Sequence, residues 1–230
     1  MQSSGDMVSG VKTFSKEAFA LAADLGQSND PTAICVMQHI KRTKMTWRGA
    51  IVDTADEFYV RYLQRLPLGM SYVQQVREIS QLLRRPPLDK GCELIIDETG
   101  VGRPVGDLFT LLKVNPIRVV ITGGENQSTR ASSRWHVPKG LLISALDARL
   151  HTQELKIAPD LAEASALREE LRDFRRHISA AGRYSYDARV GKHDDLVLAV
   201  ALALWNFIGR PKAPSAVVGR YSLNGNVHFE

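Results

Sequence analysis

Four aspartates stand where the chain changes direction. Asp24 closes the apolar run that starts at Phe19, Asp97 closes the run Glu93–Asp97, and Asp194 with Asp195 opens a long apolar segment. Strand ends and helix starts share one edge of an α/β sheet, so three distant segments can bring their carboxylates together there. Clustered carboxylates raise one another's pKa, and a hard divalent cation removes that conflict. All-oxygen ligation points to Mg²⁺ or Mn²⁺ rather than zinc, since no Cys/His set has zinc-ligand spacing. Two such ions, about 4 Å apart, activate water and stabilise the leaving oxygen of a phosphodiester.

Each aspartate alone has an ordinary reading. A strand-end Asp forms turns, and Asp-Asp before an apolar helix caps it. Their joint pattern carries the metal reading, with Asp24, Asp97, Asp195 and Asp194 as the candidate catalytic and metal-binding residues. Glu98 ranks behind them because, one residue past Asp97, it points to the other face of the strand. Asp30, beside Pro31, belongs to hairpin chemistry.

The elements that must position these acids follow from hydrophobic period and turn chemistry. Phe19 to Asp24, the turn Gly26 to Pro31, and Thr32 to His39 read as a hairpin, with further extended segments at Trp47 to Asp53 and Glu57 to Leu63. Together they predict an antiparallel meander. Gly69-Met70-Ser71 introduces a helix carrying Tyr72, Val73, Val76, Ile79, Leu82 and Leu83 at helical spacing, stopped by Pro86-Pro87. Glu93 to Asp97, a helix to about Lys113, and Ile117 to Thr122 form a β-α-β unit with parallel strands.

The polar stretch Gly123 to His136 reads as a surface loop. Val137-Pro138-Lys139 starts a helix striped with Leu142, Ala145, Leu146 and Leu150, and Pro159-Asp160 starts another carrying Ala164, Leu167, Leu171, Phe174 and Ile178. After a short Tyr184 to Asp187 segment, the helix from about His193 to Ile208 is apolar almost all round, which implies burial. The fold class expected is α/β, a mixed sheet of antiparallel meander plus parallel strands flanked by helices. The expected domains are a disordered or vector-derived N-terminus at 1–16, one globular domain at 17–209, and a tail at 210–230.

The chain has 230 residues, 44% hydrophobic and 24% charged, an ordinary balance for one globular domain. No run approaches the ~20 apolar residues a bilayer requires, and the N-terminus lacks a signal pattern, so a cytoplasmic, non-membrane protein is expected. Cys35 and Cys92 lie in strand-like apolar runs and read as core packing. Thirty Lys+Arg against 25 Asp+Glu give a net charge of +5, which suits a polyanionic partner.

The blocks ALAADLGQSNDPTAI, ELIIDETGVGRPVGDLF, VPKGLLISALDARL and GKHDDLVLAVALALW, in that order from Ala20 to Trp205, resemble the nuclease domain of a tailed-bacteriophage terminase large subunit. The resemblance implies a ribonuclease-H-like fold and two-metal cleavage of concatemeric double-stranded DNA during genome packaging, in the cytoplasm of the infected bacterial host. Carried over by position, the metal-binding acids are Asp24, Asp97 and a helix-start aspartate, Asp195 before Asp194. The resemblance further implies an ATPase motor domain upstream, with the portal and the small terminase subunit as partners and the tail as a portal-docking segment.

The chain contains no Gly-x-x-x-x-Gly-Lys-Ser/Thr phosphate loop, so no ATP hydrolysis is expected of it. Its start just before the first strand favours a domain cut from a longer polypeptide. Lys139 leads the candidate DNA contacts, with Arg130, Arg134, His136, Arg103, Lys192 and His193. A junction resolvase or other ribonuclease-H-like nuclease is the enzyme alternative, and a non-catalytic DNA-binding or assembly module is the alternative from another class.

Overall fold

The computed structural model describes residues 11–27, 30–46, 48, 50–101, 103–124, 126–129, 134–173, 175–178, 184–187 and 193–211. The chain opens with a meander of three long antiparallel strands, β1 (Val11–Asp24), β2 (Ala33–Thr46) and β3 (Ile51–Arg65). β1 starts at Val11, not at Phe19, so residues 11–16 belong to the sheet and not to a disordered terminus. Its first half is exposed on both faces and therefore lacks apolar alternation, whereas Ala20, Leu21, Ala22 and Ala23 are wholly buried. The two extended segments expected at Trp47 to Asp53 and Glu57 to Leu63 are one strand from Ile51 on, preceded by a Thr46 N–H that donates to the Ala50 carbonyl at 2.8 Å.

Helix α1 (Tyr72–Leu83) begins where its sequence requires. Ser71 and Gln74 form a reciprocal capping box, and Val76 and Ile79 supply the buried stripe. The predicted β-α-β unit follows as β4 (Glu93–Asp97), α2 (Arg103–Leu111) and β5 (Ile117–Thr122), with parallel pairing of β4 to β5. The stretch read as a loop holds two strands instead, β6 (Ser128–Thr129) and β7 (Arg134–Pro138), the latter parallel to β5. Trp135 and Val137 point into the core, and the intervening polar residues mask that period in the sequence.

Then come α3 (Lys139–His151), β8 (Leu155–Ile157) and α4 (Ala164–Asp173). The helix expected to run on to Ile178 stops at Asp173, and Ile178 lies in β9 (Arg175–Ile178), which pairs with β10 (Tyr184–Asp187). Helix α5 (Asp195–Ile208) completes the fold. The main sheet runs β6-β7-β5-β4-β1-β2-β3-β8, with parallel β4 and antiparallel β2 flanking β1 at its centre.

One face of the sheet, including Ala20, Ala22, Ile95 and Val119, packs on α3, α4 and α5; the other, including Leu21, Ala23, Leu94 and Ile96, packs on α1 and α2. As its all-round apolar sequence requires, α5 is interior, with Leu196 to Trp205 all buried. Each large aliphatic side chain there contributes ~1.5–3 kcal/mol. Among the described residues no helix is long and apolar enough to cross a membrane. Cys35 and Cys92 are free thiols, Cys35 fully buried.

The turn that follows Asp24 is tied down from α1. Gln75, 1% exposed, donates to the carbonyls of Gly26 and Met70, each at 2.8 Å, and accepts from the Thr32 hydroxyl at 2.8 Å. Gly26 itself leaves no space, since a Cβ there would sit 2.1 Å from the Asp30 carbonyl oxygen. Replacing Gln75 by Leu strands these buried groups and is expected to cost about 1–3 kcal/mol in urea denaturation. A loss under about 0.5 kcal/mol would show that the turn is held by other contacts.

A candidate metal centre at the sheet edge

Parallel pairing of β1 with β4 sets Asp24 directly beside Asp97. Neighbouring strands lie roughly 4.8 Å apart, and directly paired residues project from the same face, so both carboxylates emerge toward α5. Asp97 is 5% exposed, and its Oδ1 accepts from the Thr99 N–H at 2.8 Å. The Thr99 hydroxyl in turn accepts from the Ile121 N–H at 2.7 Å, fastening the turn after β4 to β5. Gly100, at φ +80°, completes that turn in a conformation that favours glycine.

The third acid comes from the start of α5. Asp194 occupies the N-cap position yet makes no side-chain cap. The cap comes from α4: Glu170 Oε2 accepts from the Val197 N–H at 3.0 Å. Asp194 is thereby left to the acid cluster, where its Oδ2 accepts from Lys139 Nζ, at the start of α3, at 2.8 Å. Asp195, 3% exposed, takes a different direction and forms a two-point pair with Arg65 from the end of β3, at 2.8 and 3.0 Å.

The electrostatics follow from this packing. Burial is the first cause that raises the Asp24 carboxyl well above the usual range, and the charges of Asp97, Asp194 and Asp195 push it further, in that order, against the pull of Lys139. Burial also raises Asp97 to about 6, opposed by hydrogen bonds from Thr99 and by Lys139, and reinforced by Asp194. Two buried acids, Asp97 and Asp195, and two half-buried ones, Asp24 and Asp194, therefore lie close together, with Lys139 and Arg65 as cations against them. Among the described residues no three acid, His or Cys side chains converge tightly enough to hold an ion as they stand, since Asp194 and Asp195 are drawn onto those two cations.

The other anticipated residues distribute unevenly. Glu98 turns to the opposite face, as its position predicts, and lies buried between Arg134 at 2.9 Å and Arg118 at 3.6 Å. Asp97, Val119 and Trp135 share one row of the sheet, so Arg134 and His136 also face away from the acids. Lys139 is inside the cluster. Arg103 is exposed at the start of α2, and His193 is exposed and pairs with Asp30 at 2.9 Å. Arg130 and Lys192 lie outside the described residues, as does the tail from 212, whereas Arg210 is bound to Asn206 at 2.8 Å and to Glu93.

Two residues at the site were absent from the sequence reading: Arg65 and Glu170. Both contact α5 from other elements, Arg65 reaching Asp195 across 130 residues of sequence and Glu170 reaching Val197 across 27. Glu170 does leave a trace, because it falls on the apolar stripe of α4 beside Leu167 and Leu171.

No family model matches the sequence, and no curated protein matches it. Solved structures do. The large terminase nuclease from thermophilic phage G20c with bound magnesium is similar at 20% identity and a TM-score of 0.53, covering 86% of this chain and 88% of that one. The same nuclease with bound cobalt gives 20% and 0.52, with the same coverage. The large terminase nuclease domain of Thermus phage P74-26 gives 19% and 0.52, covering 81% of this chain and 78% of that one. This chain has the ribonuclease-H-like fold that those terminase nuclease domains share.

Proposed function

We propose that the chain is a divalent-metal-dependent endonuclease that cuts double-stranded DNA, with Asp24, Asp97 and Asp194 as the acids that hold the metal. The observation that carries this reading is the direct pairing of Asp24 with Asp97, facing the uncapped carboxylate of Asp194 at the start of α5. The donor set fits a hard cation: it is all oxygen, with Asp97 buried and Asp24 and Asp194 half-buried, and it is short of positive charge. Asp195, the first choice carried over by position, ranks second in this reading because both of its oxygens accept from Arg65.

Bound at these acids, a pair of Mg²⁺ or Mn²⁺ ions supplies an acidified water and charge neutralisation for the phosphodiester. The chain's own residues do the rest. Asp97 is held in one orientation by Thr99, Asp24 is fixed by the turn that Gln75 ties, and Lys139 places a cation beside Asp194 where a DNA phosphate would approach. Arg103, exposed at the start of α2, adds positive charge for the backbone, and exposed His193 adds an imidazole beside the start of α5. Arg134 and His136 are left out of that set by their direction.

The likeness to phage terminase nucleases supports the narrower reading that the substrate is concatemeric viral DNA cut during packaging in the infected bacterium. An ATPase motor domain, a portal and a small terminase subunit are the partners this reading entails, and the chain itself, without a phosphate loop, hydrolyses no ATP.

Purified protein is expected to nick and linearise plasmid DNA with Mn²⁺ or Mg²⁺ and not with EDTA, and to cut linear duplex at least as fast as a four-way junction, a strong junction preference favouring the resolvase alternative. Asp24→Asn and Asp97→Asn should each lower the rate at least 100-fold with the fold intact by circular dichroism; unchanged rates would end the assignment. Backbone contacts predict steep loss of DNA affinity between 50 and 200 mM salt.

A second expectation concerns the metal-free protein. Raised carboxyls bind more protons in the folded chain than in the unfolded one, so stability increases as pH falls. For Asp97 the penalty is complete above about 7, is relieved as pH passes through about 6, and is gone near the ordinary carboxylate value of ~4; Asp24, raised further, adds to it in the same direction. Thermal melting in EDTA should therefore give a Tm a few degrees higher at pH 5.5 than at pH 7.5, and Asn at position 24 should raise the value at pH 7.5. A Tm that drops over this interval contradicts the buried-acid account.

A further inference from the structure

The contacts of Arg65 reach further than one ion pair. From the end of β3 its guanidinium makes two bonds to Asp195, at 2.8 and 3.0 Å, touches Glu170 of α4, and lies 3.6 Å from Glu163 just before that helix. The side chains of Asp195 and Glu170 are 4% and 7% exposed, so these are charges taken out of water. Glu170 uses its other oxygen to cap α5 through the Val197 N–H at 3.0 Å. One arginine thus links a sheet strand, the helix α4 and the first turn of α5, the turn that carries Asp194.

We propose that Arg65 and Glu170 form a positioning clamp: Arg65 holds the Asp195 carboxylate in a two-point pair, and Glu170 caps α5 in place of Asp194, so that Asp194 is the member of the pair left to complete a metal site with Asp24 and Asp97. The inference rests on the metal-site reading above. Its physical basis is that α5 is buried along Leu196 to Trp205, which forces Asp195 inside with it. A buried carboxylate needs a partner, and a guanidinium binding through two parallel N–H groups fixes direction as well as charge. A helix N-cap that caps its own helix would point its carboxylate at its own N–H groups; Asp194 is spared that role because Glu170 fills it.

Arg65 and Glu170 touch no reacting atom in this scheme. They act through the direction of Asp194, as outer partners of metal ligands do, where substitutions typically cost about 10- to 100-fold in metal affinity. A role confined to stability would lower Tm and leave the affinity of the folded protein unchanged.

The test is Mn²⁺ binding to the full 230-residue chain, by calorimetry and by the loss of free-ion electron paramagnetic resonance signal, at a temperature where each variant is folded. Asp195→Asn, which leaves Arg65 one acceptor oxygen in place of two, should weaken Mn²⁺ binding by about as much as Arg65→Lys, while Asp194→Asn should lose at least 100-fold. Arg65→Gln should weaken binding by about 10- to 100-fold, with Arg65→Lys recovering part of the loss because it restores the charge but not the two-point geometry. If Arg65→Gln does not fold, Glu170→Gln and Arg65→Lys carry the test, each expected at least fivefold weaker than the parent.

Loss of binding in Asp195→Asn as deep as in Asp24→Asn would make Asp195 a ligand and overturn the clamp. Parent-like affinity in the Arg65 and Glu170 variants, with only Tm lowered, would overturn it too. Mn²⁺ binding unchanged in Asp24→Asn and Asp97→Asn would instead refute the metal-site reading itself, so the two failures are distinguishable.

Discussion

Like-charge repulsion at one buried edge of the sheet organises much of what surrounds it. Parallel register between β1 and β4 sets Asp24 beside Asp97, and the interior course of α5 brings Asp194 and Asp195 to the same place. Neither feature can be relaxed cheaply. The register is fixed by continuous apolar runs on both strands, and a slip of one residue would turn Asp97 to the wrong face. The helix is fixed by an apolar surface buried on all sides. The fold therefore imposes the charge cluster, and the neighbouring residues are arranged to bear it.

Three devices share that task. Lys139, delivered by the start of α3, faces Asp194 and lowers the carboxyls of Asp24 and Asp97. Arg65 takes Asp195. Hydrogen bonds do the remainder: Thr99 holds Asp97, and Glu170 satisfies the start of α5. Burial nonetheless raises Glu170 to about 7, with the Val197 N–H and Arg65 opposing and the charges of Asp195 and Asp194 adding to the rise. The positive charge present does not cancel the negative charge, and that imbalance is the chemical argument for a cation.

Much of this was legible in the residues. Asp24 and Asp97 stood at the ends of apolar runs followed by glycine turns, and the β-α-β unit, α1 and the interior helix all announced themselves by period. What could not be read had a physical cause in each case. The first half of β1 is solvated on both faces and so shows no alternation; β7 has only Trp135 and Val137 to mark it among polar neighbours. Direction at the helix start was also hidden. Asp194 and Asp195 are adjacent, and which one meets the other acids depends on Arg65 and Glu170, whose closeness exists only after β3, α4 and α5 have packed.

The central claim is that a metal sits among Asp24, Asp97 and Asp194. Diffraction from crystals grown with Mn²⁺ at neutral pH, recorded near the manganese absorption edge, tests it most directly. The account predicts anomalous density bounded by those three carboxylates, with Lys139 Nζ no longer within hydrogen-bonding distance of Asp194 and with the Arg65–Asp195 pair intact. Anomalous density at another group of acids, or none at the sheet edge in crystals saturated with the ion, would contradict it.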